Sequence, residues 1–239
     1  MFLEIYHLTF TLITSYVHVN AAITSIAVRT TPSSLQSTIE GFKDCQIKAI
    51  KEMGFGFIFD WDLNGFNSKL SFHLAQNFKK ETLMLKLGTS SLKITPTLVH
   101  EMIGLPIGGT KFHDLPYNKD AQEFVYKSWK REIDCANIGS LRPSHLASAL
   151  LTFEDASLLF KKTFIIWFVS LVIFCDKSGN CYLKLVKRIL SCLQEGVSIK
   201  QIDWSAFVCR FFRKSMNAYT PTVGGYHFNG PMIVMQVII

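Results

Sequence analysis

The chain has 239 residues, of which 49% are apolar, 13% aromatic and 18% charged, with a formal net charge of +7. That balance excludes a disordered chain and leaves enough apolar material for one large domain or two small ones with a real core. The basic surplus is local: from Asn180 onward seven Lys/Arg face only Glu195 and Asp203, a net of +5, so attraction to an acidic partner belongs to the C-terminal quarter.

Residues 1–28 form an apolar leader with no Lys or Arg and one charged side chain, Glu4, diluted by His7, His18 and Asn20. Val19-Asn20-Ala21 offers the small residues of a signal-peptide cleavage site, but the basic opening of such a peptide is missing. A cleaved signal, an amphipathic or strand-like leader and a gene-model extension all stand as readings. The domain proper is expected over 29–239.

Thr30-Thr31-Pro32 sets a capping hydroxyl before a proline at the first helical position and predicts a helix over 32–41. A second helix over 43–53 places Cys45, Ala49, Ile50 and Met53 on one side and stops at Gly54. The glycines in 55–66 predict a tight apolar loop. Residues 67–78 are amphipathic through Leu70, Leu74 and Phe78. A hairpin follows, with Leu83, Leu85 and Leu87 inward, a turn at Gly88-Thr89-Ser90 and a return over 92–94. Thr95-Pro96 repeats the cap-plus-proline device and opens a helix that Gly104 ends.

The spacing over 121–133 predicts a helix with Phe124, Val125, Trp129 and Ile133 buried and Lys127, Lys130 and Arg131 outward. Arg142-Pro143-Ser144 opens a short helix ending near Thr152. The longest and most apolar helical pattern runs over 153–175, and from Phe164 to Cys175 only Ser170 interrupts it. A helix apolar on every side belongs at the centre of a fold. Twelve residues at about 1.5 Å each reach about 18 Å, short of a bilayer core of about 30 Å, so a membrane span is the weaker reading. Two more helices, 182–194 and 203–219, follow, and the apolar end over 230–239 carries no charge and no cap, as expected of a truncated domain. The fold class is mainly α: one helical domain around a central apolar helix, with one small β-hairpin.

The search for chemistry leaves little. His100-Glu101 starts the zinc-protease pattern H-E-x-x-H, but Gly104 stands where the second histidine must be. The stretch 104–111 has glycines and Lys111 but lacks the G-K-[ST] order of a phosphate loop, so a helix-exit turn is expected. Asp60 and Asp62 flank Trp61 as two carboxylates without a third ligand. The six cysteines form no C-x-x-C pair and are expected as buried thiols. No catalytic, cofactor-binding or metal residue is expected, nor a small-molecule substrate.

Several separated blocks together carry a resemblance. They are Arg29-Thr30-Thr31-Pro32, Met53-Gly54-Phe55-Gly56, Ile94-Thr95-Pro96 with Val99-His100-Glu101, Leu105-Pro106-Ile107-Gly108-Gly109, Arg142-Pro143-Ser144 with Leu146-Ala147-Ser148, and Gly230-Pro231. In this order the chain resembles the aminotransferase-like plant mobile domain over about residues 29–239. The resemblance implies a nuclear, non-enzymatic helical module of transposable-element ancestry. Relatives of that kind lie upstream of SUMO-protease-type cysteine protease domains.

The remaining signal is basic. Lys184, Lys187 and Arg188 fall at helical spacing on one helix, and Arg210, Arg213 and Lys214 on the next. Two such stripes can face phosphates, or simply water. Together with what the resemblance implies, the expected function is contact with a protein, or weakly with nucleic acid, in the nucleus. A sequence-nonspecific nucleic-acid binder and a secreted or membrane-associated protein are the alternatives.

Overall fold

The computed structural model describes residues 26–28, 33–61, 68–219, 226–231 and 233–234. The N-terminal part holds β1 (Ile26–Val28), α1 (Ser33–Ile39), α2 (Asp44–Glu52), a 3-10 turn (Gly56–Phe59) and α3 (Ser68–Gln76). Next come β2 (Phe78–Lys79), β3 (Met84–Leu87), β4 (Ser90–Lys93), α4 (Pro96–Ile103), α5 (Gln122–Glu132) and α6 (Pro143–Thr152). The rest is α7 (Leu158–Phe168) with a π-helical continuation (Val169–Ile173), α8 (Leu183–Gln194), a 3-10 turn (Ile199–Gln201), α9 (Trp204–Ala218) and β5 (Tyr226–Phe228). The fold is mainly helical with one small antiparallel sheet, β2-β3-β4; β1 and β5 form a separate parallel pair.

Helix α7 is the centre. Phe160, Phe164, Ile165, Ile166, Trp167, Phe168 and Ile173 are all fully buried. Rings from distant segments close around it: Phe42 meets Phe160 edge-on at 5.7 Å, and Phe55 meets Phe168 at 5.1 Å. Such edge-to-face pairs add to simple area burial. The buried hydroxyl of Thr163 is satisfied on both sides, donating to the Leu159 carbonyl (2.8 Å) and accepting from Trp129 Nε1 (3.1 Å). That bond ties α5 to α7 and leaves neither the Thr163 hydroxyl nor the Trp129 indole N–H unpaired in the core.

The helix starts later than the apolar pattern suggests. Residues 153–157 are non-helical, with Phe153 extended and a bend at 154–155, because other groups hold them. Gln46 Nε2, buried on α2, donates to the Phe153 carbonyl (2.9 Å) and the Asp155 carbonyl (3.3 Å), and the Ser157 hydroxyl caps α7 by accepting from Phe160 N (3.4 Å). On α2, Ala49, Ile50 and Met53 face inward as expected, but Gln46 joins them in place of Cys45, which is exposed. At its other end the helix widens to π form and Phe174 turns extended. Asp176 Oδ1 then accepts from the backbone N–H of Ser178 and of Asn180, both at 2.8 Å, so a side-chain-built turn replaces further helix.

The hairpin is present, with Leu87 opposite Ser90, so the connection is the two residues Gly88-Thr89 and not three. Gly88 supplies the φ of +60° that the tight turn needs. Phe78 is not the last helical residue but the start of a third strand, paired with Leu85. The α4 signals act as expected: Thr95 Oγ1 accepts from Leu98 N (3.1 Å) and Gly104 ends the helix with φ +85°.

On α5 two expectations are overturned. Phe124 is 70% exposed, and Lys130 is buried. The Lys130 ammonium reaches forward past the helix end and donates to the Ile138 carbonyl (2.5 Å), satisfying a loop oxygen. The expected truncated end falls largely on 232 and 235–239, and the leader on 1–25, all outside the described residues.

Candidate functional site

The basic stripes are divided by the fold. Helix α8 packs along α5 and α9 along α4, and α8 and α9 touch each other only marginally. Lys187 pairs with Glu123 of α5 and lies over the Tyr126 ring at 5.4 Å. That contact holds the Glu123 carboxyl below its usual range, while burial pushes the Tyr126 phenol up. Arg188 donates through Nη2 to the Phe112 carbonyl (3.3 Å) and the His113 carbonyl (2.9 Å). Its guanidinium also lies 4.4 Å from the Tyr117 ring. Both cations therefore serve the fold. Lys214 covers the Phe174 and Tyr182 rings at 4.8 and 4.9 Å but keeps its exposure, as do Lys184, Arg210 and Arg213.

A concavity of about 440 Å³ lies between the 111–113 loop and the first turns of α9, lined by Lys111, Phe112, His113, Ala206, Phe207 and Arg210. The second concavity, of about 470 Å³, runs between α5, the start of α7 and α8. Its walls are Phe124, Val125, Trp129, Leu158, Leu159 and Leu190, with Ser128, Glu132, Lys162 and Gln194 among the polar residues lining it. Phe124 is 70% and Leu158 61% exposed, the two most exposed large apolar side chains among the described residues. The lining polar groups are already satisfied, Ser128 Oγ donating to Glu132 Oε1 and Lys162 Nζ to Gln194 Oε1, both at 3.1 Å. An apolar groove with two unburied anchors and a quiet polar margin can take an amphipathic helix.

The weak motifs resolve as structure. At Gly104 a Cβ would stand 2.7 Å from Phe57 Cβ, so a histidine could not occupy the zinc-ligand position. His100 instead donates from Nδ1 to the Leu105 carbonyl at 2.6 Å. Asp60 is exposed and Asp62 lies outside the described residues. Among the described residues no group of three or more His, Cys, Asp or Glu side chains could hold a metal. Five thiols are buried, and burial pushes Cys181 and Cys209 up to about 12.

Residues 28–236 match the model of a family described as a domain of unknown function (DUF8566). The chain belongs to that family. Among curated proteins and solved structures nothing matches. No helix among the described residues of this DUF8566 domain is long and apolar enough to cross a membrane.

Of the residues lining these two concavities, the sequence pointed to Arg210 as a candidate contact, but not to Lys111 or to the groove beside Phe124. Phe124 fits the inward periodicity of α5, and only the side from which α8 packs decides that it stays outside. Lys111 and Arg210 are 99 positions apart. The one local signal was Gly108-Gly109, a pair that marks a close backbone approach.

Proposed function

We propose that this domain is a non-enzymatic docking module, of transposable-element ancestry and plant-mobile-domain type, that works in the nucleus by binding an amphipathic helix of a partner protein. The observation that carries the reading is the groove between α5, α7 and α8, where Phe124 and Leu158 remain 70% and 61% exposed. Solvent-facing Phe and Leu on one concave surface are the pattern of an unfilled helix site, in which anchors spaced at i, i+3 or i+4 and i+7 enter the groove. The order of the sequence blocks supports the ancestry.

The test is a displayed library of amphipathic helices selected against the full chain, with the Phe124→Glu/Leu158→Glu variant as counter-selection. Helices that bind the native surface and lose at least tenfold on the variant are expected. Enriched helices that bind both proteins equally, or no enrichment, would refute groove docking. A fluorescent fusion of the full chain that stays out of the nucleus would refute the compartment.

A further inference from the structure

We infer that the concavity between the 111–113 loop and α9 is a binding site for the phosphate backbone of a nucleic-acid strand, with Lys111 and Arg210 as its two cations. The site is independent of the helix groove and uses a residue from outside the basic stripes. Lys111 and Arg210 both line it, both are exposed, and neither has a carboxylate partner among the described residues. Unpaired cations on two walls of one hollow focus positive potential on whatever enters it.

The hollow is built, not incidental. Gly109 has φ +77°, and a Cβ there would stand 2.3 Å from the Gln201 carbonyl oxygen, so the chain passes the approach to α9 at a distance only glycine allows. Thr110 N donates to that Gln201 oxygen (2.8 Å), and Asp203 N donates back to the Thr110 carbonyl (3.0 Å). The floor is the Phe112–Phe207 pair, edge-on at 4.9 Å and almost fully buried. From behind, Arg188 grips the Phe112 and His113 carbonyls. Lys111 is thus carried on a loop fixed at both ends, which lowers the entropy lost when it meets an anion.

The two carboxylates nearest in sequence are both engaged. Asp203 is occupied in capping α9 through Ala206 N (2.9 Å), and Asp114 lies 3.4 Å from His113, so His113 adds no free cation to the hollow. The covered floor offers no ring face to a base, which favours backbone contact without sequence readout. Arg213, one turn beyond Arg210 on the same face of α9 and exposed, continues the cationic line for the next phosphate. That run of cations favours a polynucleotide over a single phosphate group.

The experiment is fluorescence anisotropy of a labelled oligothymidylate with the full chain across a salt series. Lys111→Glu/Arg210→Glu is compared with a charge-matched control, Lys48→Glu/Lys93→Glu, at exposed positions elsewhere. The native chain is expected to bind with an affinity that falls steeply with salt. The site variant should lose roughly tenfold or more and lower the log–log salt slope by about 1.4, from about 0.7 per phosphate contact. Equal losses in the control, an unchanged slope, or no oligothymidylate binding while inorganic phosphate still binds would each overturn the inference.

Discussion

Replacing Phe164 by alanine tests the interior most severely. Its ring is fully buried on α7, with centroids 5.9 Å from Phe55 and Trp167 and 6.3 Å from Phe42. Those neighbours come from two other segments and from the next turn of α7 itself, each fixed by its own contacts, so the vacated space cannot close by a rotamer change. A buried Phe→Ala substitution then costs about 3–5 kcal/mol, a large part of a domain stability of about 5–15 kcal/mol. Urea unfolding followed by circular dichroism reads the loss as a lower midpoint at unchanged slope. The same substitution at Phe124, 70% exposed on α5, should change stability by no more than about 0.5 kcal/mol. A loss below about 1 kcal/mol at Phe164, or equal losses at both sites, would refute the placement of α7 at the centre.

Thiol labelling of the native chain should modify Cys45 quickly and the other five cysteines only on unfolding; rapid labelling of a second thiol would contradict their burial. Because burial raises Cys181 and Cys209 from 9.0 to about 12, the folded state binds protons that the unfolded state has released over that window. Their contribution is therefore complete below about pH 9 and is lost as pH rises toward 12, and Cys209→Ala should make the alkaline decline shallower. Gly109→Ala forces a side chain into a left-handed conformation and against the Gln201 carbonyl, so it should destabilise by about 1–2 kcal/mol or more. It should also weaken oligothymidylate binding, and unchanged behaviour in both assays would remove the loop from the account.

Local signals in the sequence are legible where one residue decides the outcome. Thr95 and Gly104 bound α4, and Gly88 turns the hairpin, because capping and positive φ are properties of single positions. The centrality of α7 was legible for a related reason: a helix apolar all round has only one stable place. Its start was not legible, since the buried amide that holds 153–155 out of the helix comes from Gln46 on α2. Polar residues at inward positions, such as Gln46 and Lys130, look solvent-facing until their carbonyl partners are placed. Surfaces were the least legible part: Lys187 and Arg188 look like free cations, yet one pairs with Glu123 and the other binds loop carbonyls.

The most direct measurement is fluorine NMR of the full chain carrying 4-fluorophenylalanine at position 124, titrated with a helix selected on the native surface. Docking in the groove predicts a resonance that shifts and saturates with the helix, and that no longer responds in Leu158→Glu. A resonance that stays fixed while the helix binds would contradict it.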